Sequence, residues 1–149
     1  MRAVVQRVSR AGVSVDGRIT GEIQAGLVVL LAVGHADTPA TSAEMAGKIV
    51  HLRIFDDDRG KMNRSLLDAG GAVLAISQFT LYGHVRRGRR PGFDQAAPPE
   101  LAAALYEEFV RVLRALGAPT ETGIFQARMT VEIVNEGPVT ILLDSDKQF

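Results

Sequence analysis

The amino-acid sequence predicts an α+β fold in which a curved, barrel-like mixed β-sheet carries two main helices. Apolar, strand-like runs outnumber the helical segments, and most of them follow one another directly instead of alternating with helices. At 149 residues the chain is most simply a single domain spanning residues 1–149. Its apolar content of 46% supports a folded core and argues against disorder.

The first third of the chain is predicted to form a β-meander. Residues 3–8 are one candidate strand and residues 13–15 are another. Asp16-Gly17 follows at once, and an Asp-Gly pair between strand-like residues is a strong hairpin signal. Residues 27–33 are apolar at every position, as expected for a central strand covered on both faces.

Two segments have the apolar spacing of helices. The first begins at Thr38-Pro39, where threonine suits the N-cap and proline the first helical position. Its apolar stripe comprises Met45, Ala46, Ile49, Val50 and Leu52. The second helix opens at residues 98–100 and ends at Gly117. Its apolar face comprises Leu101, Leu105, Phe109, Val112 and Leu116.

Two charged clusters interrupt this pattern. Residues 56–58 are three consecutive aspartates, but the distal glutamate and ligand alternation of a calcium loop are missing, so no metal site is predicted. The second cluster comprises Arg86, Arg87, Arg89 and Arg90. It is either a solvated loop or a phosphate contact, because the arginine fork suits phosphate oxygens. The formal net charge of zero provides no global attraction to nucleic acid.

The sequence also indicates the cellular compartment of the protein. The chain has no cysteine, which excludes disulfides and thiolate metal sites. Its first residues lack a signal-peptide layout, and the longest apolar run, residues 27–33, is far too short to span a bilayer. We therefore expect a cytoplasmic protein without a membrane partner.

A run of mostly polar residues follows the buried strand predicted at residues 72–76. A hydroxyl, an amide, an aromatic ring and a second hydroxyl come in immediate succession, from Ser77, Gln78, Phe79 and Thr80. Strand ends commonly hold sites, because the strand fixes the residues and the following loop leaves them accessible. The alternative is a strand that simply continues with mixed faces. The pattern leaves both interpretations open.

Gly137-Pro138 interrupts two strand-like apolar runs near the C-terminus, at residues 129–133 and 139–143. A proline lacks a backbone donor and fixes its φ, so a corner between two strands is one of the few places where it fits. The glycine leaves the neighbouring carbonyls uncovered and able to meet a ligand. An ordinary β-turn is the alternative.

Conventional catalytic groups are scarce. The histidines are His35, His51 and His84, and none has the neighbours of a serine-hydrolase base. No phosphate-binding loop, dinucleotide fingerprint or paired-histidine metal motif is present. Any chemistry must therefore use backbone donors, hydroxyls or the substrate itself, and no cofactor is expected.

Two motifs together resemble the paired signature of the D-aminoacyl-tRNA deacylase family. The first is Ser-Gln-Phe-Thr at residues 77–80, and the second is Asn-Glu-Gly-Pro-Val-Thr at residues 135–140. The similarity covers essentially the whole chain, with further matches at residues 1–8, 60–63, 88–91 and 142–145.

The resemblance implies a homodimer with active sites at the subunit interface. The implied substrate is the aminoacylated 3′-terminal adenosine of tRNA, and the implied reaction is hydrolysis of the ester that carries a D-amino acid, or glycine mischarged on tRNA-Ala. Gly137-Pro138 corresponds to the family's cis peptide, which enters the pocket of the other subunit. There its carbonyls hold the amino group and exclude an L side chain. Arg7 matches a residue that helps to fix this loop.

The resemblance also implies roles for the residues of the pocket. The floor would comprise Ser77, Gln78, Phe79 and Thr80, with the backbone amides of Gln78 and Phe79 placed to bind the ester oxygen. Phe125 and Met129 fall where the family packs the terminal adenine. The ester would be attacked by a water activated with help from a ribose hydroxyl, or alternatively by Thr80 as a nucleophile.

Two positions depart from the family pattern. Gly92 stands where many relatives have serine, and Gln126 stands where glycine is frequent. Two other functions compete with an esterase. A pure RNA-binding module could use residues 86–90, although the aromatic content of 5% provides few rings for base stacking. A structural oligomer would use Gly137-Pro138 only as an interface element.

Overall fold

The computed structural model describes residues 1–86 and 88–148. Its strands are β1 (Arg2–Val15), β2 (Arg18–Ile23), β3 (Gly26–Ala32), β4 (Phe55–Asp56), β5 (Met62–Arg64), β6 (Ala72–Ser77), β7 (Thr120–Thr122) and β8 (Thr130–Asp144). Its helices are α1 (Pro39–Val50), α2 (Leu66–Ala69) and α3 (Pro99–Ala115), and a 3₁₀ turn covers Phe79–Tyr82. Arg87, one of the four arginines of the basic cluster, lies outside the described residues.

The main sheet is mixed and nearly closed. Its strand order is β2-β1-β3-β6-β7. β8 pairs with both halves of β1, along the edge opposite to the one that β3 and β2 share. β1 is antiparallel to β2, β3 and β8, whereas β3, β6 and β7 run parallel to one another. At the closure, a Cβ added to Gly21 of β2 would lie 2.7 Å from the carbonyl oxygen of Thr122 in β7. The α+β class with a barrel-like mixed sheet and two main helices is confirmed.

The predicted meander is wrong in its connectivity. Residues 3–8 and 13–15 belong to the single strand β1, which pairs with β3 through its first half and with β2 through its second half. The Asp16-Gly17 hairpin is confirmed, with φ values of 49° and 76° that a tight turn of this type requires. β1 is therefore the hub of the sheet.

Apolar residues cover both faces of the sheet. On one face α1 and α3 pack over a cluster that includes Leu27, Ile49 and Phe109. On the other face a smaller cluster includes Val28 and Leu74. Because β3 contributes to both clusters, the prediction of a central strand covered on both sides is confirmed.

The helix ends follow local sequence signals. Thr38 is the N-cap of α1 and accepts from the Thr41 N–H. Gly117 follows α3 with φ 92°, the left-handed conformation expected there. The predicted apolar face of this helix needs one correction. Leu116 is 38% exposed and Leu113 is buried instead, because Leu113 lies one turn beyond the buried Phe109.

The acidic turn at residues 56–58 is held by hydrogen bonds. Asp57 accepts from the N–H groups of Lys61 and Arg59 at 3.0 and 2.9 Å, and these bonds lower the pKa of the Asp57 carboxyl. The described residues contain no group of three or more His, Cys, Asp or Glu side chains that could hold a metal ion. None of their helices is both long and apolar enough to cross a membrane.

Candidate active site

The strand β6 ends at the predicted polar motif. The chain does not continue as a strand but enters the 3₁₀ turn. The Gln78 N–H donates to the Leu31 carbonyl at 2.7 Å, so this donor is already used, contrary to its expected role toward an ester oxygen. The N–H groups of Phe79 and Thr80 are the first of the turn, and such groups have no partner within their own turn.

A cavity of about 590 Å³ opens beside this turn. Five residues predicted for the site line it, namely Ser77, Gln78, Phe79, Phe125 and Met129. Thr80 lies outside this lining and is exposed, and its hydroxyl accepts a hydrogen bond from the Gln78 side-chain amide. The structure thus brings together both parts of the expected pocket, the motif after β6 and the pair of residues ahead of β8.

The walls of the cavity are mostly apolar and carry no charge among the described residues. Among the described residues that line it, none is ionisable. Five small residues among those that line it are alanines, at positions 32, 96, 97, 102 and 127. Phe79 packs edge-on against Phe93 with 5.1 Å between ring centroids. A volume of this size, lined by apolar and aromatic groups with a few polar ones, is typical of small-molecule sites.

Phe125 connects the cavity to the core. Its ring lies 6.2 Å from that of Tyr106, which donates its hydroxyl proton to the Ala75 carbonyl at 2.8 Å. Burial raises the pKa of the Tyr106 phenol well above its ordinary value. Tyr106 is therefore a neutral structural support and cannot act as a base near neutral pH.

Gly137-Pro138 lies in a bulge of β8. Gln6 pairs with Thr140 and Val8 pairs with Asn135, so residues 136–139 stand opposite Arg7 alone. The expected corner between two strands is therefore wrong, since the runs on either side continue along β1 as one interrupted strand. The peptide bond is cis, as predicted.

Arg7 lies buried beneath this bulge. It is 7% exposed, and its guanidinium donates to the Ile54 carbonyl at 2.7 Å. Its Nη1 also lies 3.4 Å from the Asp56 carboxylate, and its Nε lies 3.9 Å from that of Glu136. A Cβ added to Gly137 would lie 3.2 Å from Arg7 Nη2, so the guanidinium supports the loop directly.

Asn135 holds the bulge in place, a role that was not predicted from the sequence. Its side-chain amide donates to the carbonyls of Arg7 and Val139, each at 2.9 Å, and so ties both ends of the bulge together. An asparagine immediately before a glycine-containing loop is a recognisable signal for such side-chain-to-backbone bonds.

The bulge and the cavity are separate within one chain. Arg7, Gly137 and Pro138 do not line the cavity, and both residues of the Gly-Pro step are exposed. The histidines also lie outside its lining. His51 caps the end of α1, and His35 and His84 both bond to Asp94, the first to its carbonyl at 3.0 Å and the second to its carboxylate at 2.7 Å.

Comparison with known proteins identifies the family. The family described as D-Tyr-tRNA(Tyr) deacylase matches residues 4–144. The chain is 62% identical over 149 residues to a D-aminoacyl-tRNA deacylase from Symbiobacterium thermophilum, a match that covers 100% of this chain and 99% of that protein. The chain belongs to the D-aminoacyl-tRNA deacylase family. A relative from Koribacter versatilis is likewise 62% identical over the full length of both chains.

Solved structures share the fold of this chain. The c-Myc DNA Unwinding Element Binding Protein superimposes with a TM-score of 0.92 at 42% identity, covering 97% of this chain and 99% of that chain. The structure of a probable eukaryotic D-amino acid tRNA deacylase superimposes with a TM-score of 0.81 at 21% identity, covering 95% and 97%. At that identity the second match supports the fold alone.

Proposed function

We propose that this protein, acting as one domain over residues 1–149, hydrolyses the ester bond of D-aminoacyl-tRNA and of glycyl-tRNA mischarged on tRNA-Ala. The products are the free amino acid and the tRNA. The observation that carries the proposal is that residues of the first family motif line one uncharged cavity together with Phe125 and Met129, in a chain that matches the family along its length. The relatives from two bacteria are named for this activity.

The terminal adenosine is assigned to the Phe125 end of the cavity. The Phe125 ring and the Met129 side chain form an apolar wall suited to a flat base. Ser77, Gln78 and Phe79 also line the cavity, and the ester is assigned to their part of it. This orientation places the bond to be broken beside the first N–H groups of the 3₁₀ turn.

Hydrolysis is assigned to a water molecule activated with help from the ribose hydroxyl. The ester is already an activated acyl group, so the protein needs to orient water and to stabilise the developing oxyanion. The absence of ionisable groups among the described lining residues supports this assignment. The Phe79 N–H is the best-placed donor, because the Gln78 N–H already bonds to Leu31. The Thr80 hydroxyl bonds to the Gln78 side-chain amide, which cannot act as a base, and this disfavours a covalent route.

Selection against L-amino acids is assigned to the Gly137-Pro138 step of a second subunit. The step is exposed and lies away from the cavity of its own chain, which is the arrangement that insertion into a partner would require. Rigid main-chain atoms are suited to this task, since an apolar pocket discriminates by only about 1–3 kcal/mol per methylene. Steric exclusion by a supported loop can reject the wrong isomer more strongly.

The test is hydrolysis of D-tyrosyl-tRNA and L-tyrosyl-tRNA by the purified protein, together with its mass in solution. We expect release of D-tyrosine, protection of the L ester and the mass of a dimer. Equal hydrolysis of both esters would contradict chiral selection, and hydrolysis of neither would contradict the deacylase function. In the second case, binding of uncharged tRNA would favour the RNA-binding module, and its absence the structural oligomer.

A further inference from the structure

A second recess, lined by polar side chains, includes residues that follow the 3₁₀ turn. It has a volume of about 270 Å³ and is lined by Arg2, His84, Arg86 and Gln95. No carboxylate is among the described residues that line it, and the lining combines guanidinium, imidazole and amide groups. Such a set of donors suits a phosphate group.

Arg2 presents to this recess a guanidinium that is held in place and paired with Asp144. Its Nε donates to the Asp144 carboxylate and its Nη1 to the Leu81 carbonyl, both at 3.2 Å. The guanidinium carbon lies 4.5 Å from the centroid of the Tyr82 ring, over its face. These contacts hold the side chain in place, so a ligand would not have to order it.

The two residues that flank the arginine cluster, His84 and Gly92, are fixed as well. His84 and Gly92 exchange backbone hydrogen bonds of 3.0 and 2.9 Å. The His84 ring bonds to Asp94 at 2.7 Å and lies so close that a Cβ added to Gly92 would be 2.9 Å from its Nε2. Glycine at position 92 therefore leaves room for this ring. The paired residues His84 and Gly92 fix this part of the backbone. Arg86 follows His84 by two residues and lines the recess.

The carboxylates of the wider cavity around the recess are mostly engaged. This cavity, of about 640 Å³, also includes Asp37, Asp94 and Asp146. Asp37 accepts from the Met1 ammonium at 2.6 Å and from a backbone N–H at 2.7 Å, while Asp94 accepts from His84. Asp146 is exposed and is the carboxylate that would oppose an anion there.

We propose that this recess binds a backbone phosphate of the tRNA acceptor strand, upstream of the terminal adenosine. The proposal rests on the proposed function. Phe79 lines the apolar cavity and Tyr82 the wider polar one, so the two sites share a single 3₁₀ turn. Segment 93–97 also faces both, since Phe93 lines the first and Gln95 the second. The proposal assigns the strand a path along this turn, from the apolar cavity that holds its last nucleotide to the polar recess.

The test uses Arg86→Gln and a control, Arg18→Gln. Both arginines are exposed and both changes remove one positive charge, but Arg18 lines none of these cavities. Each variant and the parent protein are assayed on D-tyrosyl-tRNA and on D-tyrosyl-adenosine, which has no upstream phosphate. Binding of uncharged tRNA is measured by fluorescence anisotropy across a salt series. Inorganic phosphate is titrated separately at constant ionic strength.

Arg86→Gln should raise the KM for D-tyrosyl-tRNA and the Kd for uncharged tRNA by about three- to tenfold, with kcat unchanged. The salt dependence of tRNA binding should lose about one unit of slope. D-Tyrosyl-adenosine should be hydrolysed equally by all three proteins. Arg18→Gln should match the parent throughout.

Other outcomes separate the possible failures. If Arg86→Gln and Arg18→Gln behave alike toward tRNA, the recess does not bind the acceptor strand. Weaker binding of inorganic phosphate by Arg86→Gln with unchanged tRNA parameters would assign the recess to a free anion and overturn the RNA proposal. If the parent hydrolyses neither ester, the deacylase function fails, while the anisotropy measurement still decides whether the recess holds RNA.

Discussion

The cavity beside the 3₁₀ turn and the bulge of β8 are built in opposite ways. The cavity is apolar, and its described lining contains no ionisable side chain. The bulge is exposed and lies over a buried arginine with two carboxylates nearby. One region offers shape and main-chain donors, while the other offers a loop that charged and amide side chains hold in place.

This difference indicates how the proposed reaction divides its tasks. A site without an acid or base suits a substrate that supplies its own activation. A loop braced by Arg7 and Asn135 suits a task that depends on rigid position, such as rejecting one stereoisomer. If the division is correct, changes in the cavity should alter the rate, whereas changes beneath the bulge should first alter stability and selectivity.

The largest effect is expected from Phe79→Pro. Proline removes the N–H that is proposed to bind the oxyanion, and the first turn of a helix tolerates its ring. Loss of one such donor should lower kcat on D-tyrosyl-tRNA by about 100- to 1,000-fold. Stopped-flow or quench measurement of ester cleavage would report it.

The matched control is Phe79→Ala, which removes the ring but keeps the N–H. It loses the edge contact with Phe93 and should cost activity far less. If both variants slow the reaction equally, the aromatic ring matters and the main-chain donor does not.

Arg7→Ala should produce the largest loss of stability. Removing the guanidinium leaves the Ile54 carbonyl without its partner in a buried place. We expect the free energy of unfolding to fall by about 2–3 kcal/mol and the melting temperature to fall by about 5–10 °C. Thermal denaturation followed by circular dichroism would measure both.

Glu136→Gln separates the buried bond from the surface ion pair. Glu136 is exposed and its carboxylate lies 3.9 Å from Arg7 Nε, so the change should alter stability by less than about 0.5 kcal/mol. A loss equal to that of Arg7→Ala would mean that the ion pair, and not the bond to Ile54, supports the bulge.

Local signals in the sequence predicted the parts of the fold that local chemistry decides. The Asp16-Gly17 turn, the Thr38 cap and the Gly117 helix end depend on a few neighbouring residues, and all are confirmed. The path of β1 could not be predicted in this way, since it depends on which distant strands share its two edges.

The same limit applies to the candidate site. The motif after β6 was recognisable because polar residues follow a buried strand. That its Gln78 N–H bonds to Leu31 follows from the parallel register of β3 and β6, which no local pattern reports. The bond from Asn135 to the Arg7 carbonyl was hidden for a similar reason, because the two residues are 128 apart, whereas its bond to Val139 is local.

The pH dependence of stability provides a further test of the comparison. Hydrogen bonds from Lys61 and Arg59 hold the pKa of Asp57 below its ordinary value. A lowered pKa in the folded state stabilises the protein above the unfolded-state pKa, and this contribution is lost as pH falls through the folded pKa. Asp57→Asn should therefore lower stability at pH 7 and flatten its decline below about pH 4.

The check is denaturant unfolding of both proteins between pH 2 and 8. Because the described cavity lining contains no ionisable group, the kcat of Asp57→Asn at pH 7 should equal that of the parent. An unchanged acid decline in the variant would show that other carboxylates control it.

Thr80→Ala should have only a small effect on turnover. Thr80 lies outside the cavity lining, and its hydroxyl accepts a hydrogen bond from the Gln78 amide, which is not a base. We expect kcat to stay within about threefold of the parent, the size of one lost neutral hydrogen bond. A fall of several hundredfold with intact folding and tRNA binding would instead identify Thr80 as the nucleophile.

The smallest effect is expected from Gln126→Gly. Each region contains one residue with positive φ near its working surface, Gly137 at 116° in the bulge and Gln126 at 62° in the cavity wall. Glycine at position 126 would remove the strain of a left-handed side-chain residue, about 1 kcal/mol, but it would also gain a similar amount of unfolded-state entropy. The melting temperature should therefore change by no more than about 2 °C. A large fall would show that the Gln126 side chain supports the cavity wall, and a raised KM for D-tyrosyl-adenosine at unchanged stability would show that it contacts the substrate.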